Sequence, residues 1–155
     1  MTKPEFVYVT YISSTPEKIW NALQDPEMTK QYWVQHRNAS DWQVGSPWRH
    51  EDYESGKVDI VGKVVESTPP RRLVLTWASP ADAADAAKHS RVTFEIEPYE
   101  DAVRLTVTHG ELEPDSPMLH GITKGWPIVL SGLKTLLETG KPMPMTARRR
   151  TKPPQ

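Results

Sequence analysis

The sequence predicts an α+β fold in which a curved antiparallel sheet is covered by one long C-terminal helix, with two short helices inserted after the first strand. Three observations predict it. Residues 91–97 and 103–109 alternate apolar and polar positions cleanly, which marks a sheet buried on one face only and hence antiparallel. Ser116 to Gly140 carries Leu119, Ile122, Trp126, Val129, Leu130, Leu133, Leu136 and Leu137 at three- and four-residue steps, the stripe of a buried helix face. Between the first strand and the rest of the sheet stands Ser13-Ser14-Thr15-Pro16, a helix-start signal.

In chain order, Phe6 to Ile12 is rich in β-branched and aromatic residues and reads as a strand. Thr15 is a suitable N-cap with Pro16 at the first helical position, and Ile19, Trp20 and Leu23 then share a face. Asp25-Pro26 ends that helix and caps a second one reaching Tyr32 or Trp33. From Trp42 onward strand signals come in series, for a run of about six strands. The short segment 46–52 sets Trp48 and His50 on one side and Arg49 and Glu51 on the other. Residues 57–67 contain Gly62, which signals a bulge or a close backbone approach. Leu73, Leu75 and Trp77 alternate with Val74 and Thr76, and the Ala-rich stretch from Ser79 to His89 reads as a long connection. Val92, Phe94 and Ile96, then Val103, Leu105, Val107 and His109, face the core.

Ser116 and Pro117 start the long helix, and Gly140 suits a left-handed stop. Pro127 lacks the N–H that would bond four residues back, so a kink or a break into two helices is expected at Gly125–Pro127. Lys141 to Gln155 holds four prolines and Arg148-Arg149-Arg150 without apolar periodicity, and is expected to be a disordered, solvated tail after a domain spanning 5–140.

Composition narrows the function. The chain has 155 residues, a formal net charge of -1 and no cysteine. One domain with a real core is expected, without disulfides, thiolate metal sites or cysteine nucleophiles. A near-neutral body argues against nucleic acid as a partner. No apolar run approaches membrane-spanning length and no signal peptide precedes the first strand, so a cytoplasmic location without membrane insertion is expected. The five histidines show no H-x-x-x-H or H-E-x-x-H spacing, so neither a metal nor a cofactor is assigned. Glu51, Asp52, Glu54 and Asp59 read as a solvated acidic face.

Six tryptophans stand beside only two phenylalanines. One helix, roughly 10 Å across, is too narrow to fill a curved sheet of this size, so large side chains or a cavity must occupy the remainder. Trp33, Trp48, His50, Trp77, His109 and Trp126 are the candidate cavity-lining residues. Each combines apolar area with a single hydrogen-bonding handle, which suits a ligand pocket as well as a packed core. No catalytic residue is nominated. Tyr11, Tyr32 and Trp42 are expected outside the core, where exposed aromatics mark contacts such as a homodimer interface.

Thr15-Pro-Glu-Lys-Ile-Trp-Asn-Ala-Leu-Gln-Asp-Pro-Glu resembles the first-helix signature of the START-like, or SRPBCC, superfamily. Ser40 to Trp48, Pro69 to Trp77 and Gly125 to Gly140 are similar to one of its families, that named after the C-terminal domain of the activator of Hsp90 ATPase. The resemblance covers about Glu5 to Gly140. It implies a helix-grip (START/Bet v 1-like) fold, often enclosing a hydrophobic cavity. The superfamily includes lipid carriers, hormone receptors, cyclases and chaperone regulators, so the fold alone does not name a function. The leading expectation is a module binding a hydrophobic or aromatic small molecule between sheet and helix. The alternatives are a protein acting on an Hsp90-type chaperone or another client, and a cofactorless cyclase, isomerase or hydrolase using His50 or His109. Binding is favoured over catalysis.

Overall fold

A computed structural model describes residues 3–149. Strand β1 (Phe6–Ile12) leads into helices α1 (Pro16–Gln24) and α2 (Pro26–Tyr32). Strands β2 (His36–Ala39), β3 (Pro47–Asp52), β4 (Val58–Thr68), β5 (Arg72–Trp77), β6 (Ser90–Tyr99) and β7 (Ala102–Gly110) follow, then helices α3 (Pro117–Thr139) and α4 (Pro144–Ala147). The strands form one curled antiparallel sheet in the order β1-β7-β6-β5-β4-β3-β2. Its apolar face holds Ile12, Val92, Phe94, Ile96, Leu105 and Val107, all buried against the core. The α3 stripe of Ile122, Trp126, Val129, Leu130, Leu133 and Leu136 closes it from the other side.

Local chemistry sets the element ends. Thr15 Oγ1 accepts from the Lys18 N–H at 3.2 Å, Asp25 Oδ1 from the Glu27 N–H at 2.9 Å, and Ser116 Oγ from the Leu119 N–H at 3.1 Å. Each cap precedes a proline at the first helical position, as the sequence pattern implies. Gly140 ends α3 in the left-handed region at φ 76°.

Gly62 marks a close approach. A Cβ there would run into the Thr76 carbonyl and lie 2.5 Å from Trp48 Nε1. The bare backbone lets the Trp48 indole reach across β4 and donate to the Thr76 carbonyl at 2.8 Å.

Several expectations are corrected. α3 is one helix rather than two, running from Pro117 through Pro127 to Thr139. A buried apolar stripe along its whole length outweighs the one backbone bond that Pro127 forgoes. Strand β2 is additional to the strand signals that begin at Trp42, because His-Arg-Asn-Ala has no apolar alternation. Tyr32 is fully buried, its hydroxyl donating to the Ala22 carbonyl at 2.8 Å, and cannot mark an exterior contact. Tyr11 is exposed, whereas Trp42 packs against the core.

The acidic segment is not simply a solvated face. Glu51 lies on the side of Arg49, yet it is only 4% exposed, held between its cross-strand neighbour Arg37 and Arg49, each at 2.7 Å. Burial pushes the Glu51 carboxyl up, but hydrogen bonds from Arg49 and Arg37 outweigh it and keep it below the usual range. Only Glu54 fits the expectation of an open carboxylate, since Asp52 is buried and Asp59 is half-buried.

The segment after Gly140 is folded as far as Arg149, not disordered. α4 buries Thr146 completely against Gly132 of α3, a position where a Cβ would lie 2.9 Å from Thr146 Cβ. The Val34 N–H donates to the Thr146 carbonyl at 2.8 Å, and Gln35 Nε2 donates to the Ala147 carbonyl at 2.5 Å. Arg149 pairs with Asp52 and Glu54. Backbone bonds and a small–small packing contact need no apolar periodicity, so the composition of the tail carried no sign of them. The rest of the expected tail, 150–155, lies outside the described residues.

Candidate functional site

A cavity of about 250 Å³ remains between the sheet and α3. Its walls are Trp33 from the end of α2, His50 from β3, Ile60 from β4, Trp77 from β5, and Ile122, Trp126 and Val129 from α3. Gly121 and Gly125 complete the helical side, and nothing stands within 4 Å of where their Cβ atoms would be. A side chain at either position would project into free space, so the two glycines keep that wall low.

Four of the six candidate residues therefore meet at one space. The three indoles touch one another: Trp33 and Trp126 at 5.4 Å between ring centroids and 61°, Trp77 and Trp126 at 5.5 Å, Trp33 and Trp77 at 6.5 Å and 23°. Edge-to-face and offset contacts of this kind hold rings in place without closing the gap between them.

Trp48 and His109 do not line this cavity. Trp48 is 2% exposed and packs behind Trp77 at 5.3 Å, its N–H used on Thr76. His109 is fully buried within a hydrogen-bonded chain. Trp126 Nε1 can only donate, so at 3.0 Å it makes His109 Nδ1 the acceptor. The ring proton then sits on Nε2 and points to Ser90 Oγ at 2.8 Å, which in turn donates to the Trp77 carbonyl at 2.9 Å. Every valence in the chain is used. Burial holds the His109 pKa down to about 3, so the ring stays neutral. It has neither a lone pair nor a proton to offer a ligand, and its part is to orient Trp126.

His50 is different. Its Nδ1 lies 2.8 Å from Asn38 Oδ1, and the Asn38 amide is oriented by its own donation to the Leu23 carbonyl at 3.2 Å. The His50 proton is therefore on Nδ1, leaving Nε2 as an acceptor. Burial, with a further contribution from the neighbouring His36, holds its pKa down to about 3.

Sequence reasoning missed His36, Asp59 and Ile60 as cavity residues. His36 stacks on His50 at 4.6 Å and 13°, while its Nε2 faces Asp59 Oδ2 at 2.7 Å and its Nδ1 the Val34 carbonyl at 3.0 Å. His36 and Asp59 are 23 residues apart and meet only because β2 and β4 both pair with β3. The available signal was modest: His36 opens the unplaced strand β2, and His50 lies on β3, the strand that pairs with it. Trp77 is also a wall of a second, more polar space of about 360 Å³ bordered by Ser79, Lys88, Glu111 and Ser116. Among the described residues, no group of three or more histidine, aspartate and glutamate side chains could hold a metal ion, and no helix is long and apolar enough to cross a membrane.

The architecture is shared with known structures. The Aha1 dimer of Colwellia psychrerythraea is 22% identical, with 89% of this chain and 98% of that one covered and a TM-score of 0.71. A protein from Mesorhizobium loti is 27% identical over 86% and 96% of the two chains, with a TM-score of 0.72. An Hsp90 activator from Plasmodium falciparum is 23% identical over 86% and 95%, with a TM-score of 0.71. Comparison with curated proteins gave no match. The family model for activator of Hsp90 ATPase homolog 1-like proteins matches residues 13–138, and the chain belongs to that family.

Proposed function

We propose that this protein binds a hydrophobic or aromatic small molecule in the cavity between the sheet and α3. The observation that carries this reading is the open space of about 250 Å³ walled by Trp33, Trp77 and Trp126 with His50 beside them. Indole faces offer apolar area and favour flat, polarisable guests, and a few fixed polar groups then orient them. The decisive experiment is native mass spectrometry of freshly purified protein, followed by denaturation and identification of what is released. A stoichiometric hydrophobic adduct is expected. A clean mass, together with no thermal shift from any of a panel of bicyclic aromatics, would refute the reading.

A second reading is favoured by family membership and by the likeness to the Plasmodium falciparum structure, which is described as an Hsp90 activator. On it, the protein modulates an Hsp90-type chaperone in the cytoplasm, a location that the absence of cysteines supports. Measuring the ATPase rate of a cognate chaperone with and without the protein tests it, and an unchanged rate counts against it. Self-association is supported by the dimeric Colwellia psychrerythraea relative and by the exposed Val7, Val9 and Tyr11 on edge strand β1. Sedimentation analysis of wild type and Tyr11→Ser tests that surface.

A further inference from the structure

His50 presents an unspent hydrogen-bond acceptor to a cavity walled mainly by aromatic and aliphatic side chains, whose other polar members, His36 and Asp59, are paired with each other. The Asn38 contact places its proton on Nδ1, and no residue among those described bonds its Nε2. The N–H groups of Trp126 and Trp48, by contrast, are already committed to His109 and Thr76, and that of Trp77, though unpaired, is buried. The His50 ring stacks on His36 at 4.6 Å, packs against Trp33 at 4.8 Å and is held at Nδ1 by Asn38, so Nε2 cannot turn away to find a partner elsewhere. His36 is itself tied to Asp59 and the Val34 carbonyl, and does not compete for that lone pair. A neutral acceptor fixed at the wall of an apolar space rewards one kind of guest. The guest must be flat enough to lie against the indoles, and it must carry a hydroxyl or N–H to donate. It must also be uncharged, because Nε2 has no proton for an anion and His36, the nearest group that could answer one, is already spent on Asp59.

We propose that His50 Nε2 is the recognition point of this cavity and that it selects neutral hydroxy- or amino-aromatic molecules over their hydrocarbon, ether and carboxylate counterparts. The assignment rests on the ligand-binding reading above and adds the ligand's chemical class to it. Asn38 is the positioning residue, since its carbonyl oxygen determines which His50 nitrogen keeps the lone pair.

The test compares 2-naphthol, 2-methoxynaphthalene and 2-naphthoate by equilibrium dialysis against the intact protein. Naphthol is expected to bind about tenfold more tightly than the ether, the size of one well-made buried hydrogen bond. The carboxylate is expected to bind most weakly. In His50→Phe the preference for naphthol over the ether should vanish while the ether still binds. In the wild-type protein, independently of whether that variant folds, the ¹⁵N resonance of His50 Nε2 should move upfield on adding naphthol. Equal affinity for naphthol and ether, a preference that survives His50→Phe, tightest binding of naphthoate, or an unmoved Nε2 resonance would each overturn the assignment while leaving the cavity reading in place. No binding of any of the three would overturn both.

Discussion

At the scale of single residues, His109 shows how a polar side chain can be indispensable to a cavity that it never touches. It accepts the Trp126 N–H and donates its own N–H to Ser90, so two buried polar groups depend on one imidazole. Replacing it with phenylalanine keeps the ring volume but strands the Trp126 donor and removes the partner of Ser90. Leaving a buried donor unsatisfied costs about 1–3 kcal/mol, and chains of bonds amplify the loss. We expect His109→Phe to lower unfolding stability by about 2–4 kcal/mol in urea titrations. A change under about 0.5 kcal/mol would show that the chain contributes nothing. Trp77 supplies the contrast, because its own Nε1 is buried without a hydrogen-bond partner in the structure. Its orientation rests on packing against Trp48, Trp126 and His109 instead.

At the scale of elements, α3 and the segment after it make opposite predictions. Pro127 sits inside a continuous helix and forgoes the bond to the Thr123 carbonyl. Alanine would restore that donor and removes ring crowding, and interior proline costs up to about 3 kcal/mol relative to alanine. Pro127→Ala should therefore raise the unfolding midpoint, by about 1–2 kcal/mol in stability once some relief already present in the native helix is allowed for. A destabilised variant would mean that Pro127 makes packing contacts worth more than the bond.

The α4 segment works as a clip. It holds Val34 and Gln35, both in the left-handed region at φ 44° and 62°, through two bonds from the loop to the Thr146 and Ala147 carbonyls. Its Arg149 binds Asp52, and together with the backbone N–H of Ser55 it keeps that carboxyl far below its usual range. Val34 borders the cavity, so the clip braces one lip of it. Ending the chain at Lys141 should cost about 2–4 kcal/mol, from two lost hydrogen bonds to the loop and an uncovered Gly132. Amide exchange should also speed up specifically at 34–36. Unchanged exchange there would show that the loop holds itself.

For the whole molecule, the two buried neutral histidines impose a dependence on pH. Both His50 and His109 have pKa values held down to about 3, against about 6.5 in the unfolded chain. The unfolded state therefore binds more protons below about pH 6.5, and acid favours unfolding. Their contribution is complete above about pH 6.5 and is lost progressively as pH falls toward about 3. Two such groups give a slope of up to about 2.7 kcal/mol per pH unit within that window, at about 1.36 kcal/mol per proton. Urea titrations between pH 7 and pH 4 should show the steep loss. A His109→Phe background, with one fewer histidine to protonate on unfolding, should show roughly half the slope. A flat profile would mean that water reaches these rings.

The sequence by itself determined the fold and nominated part of the cavity wall. Alternation along Arg91–Glu97 and Val103–His109, the caps at Thr15, Asp25 and Ser116, and the stripe from Leu119 to Leu137 are local or periodic signals, and local signals survive without knowledge of what packs where. Together with the alternation in β3 and β5 they put His50 and Trp77 on a sheet face and Trp126 on the helix stripe that covers it. Tertiary structure decided what periodicity cannot encode. It covered Glu51 with Arg37 and Arg49, paired His36 with Asp59 across β3, withdrew Trp48 and His109 from the cavity, and docked α4 onto Gly132. Each of these depends on atoms far apart in the chain meeting within hydrogen-bonding or van der Waals distance. The side-chain period specifies only the face on which a residue lies, whereas the partner is set by strand register and by the shape of whatever arrives opposite.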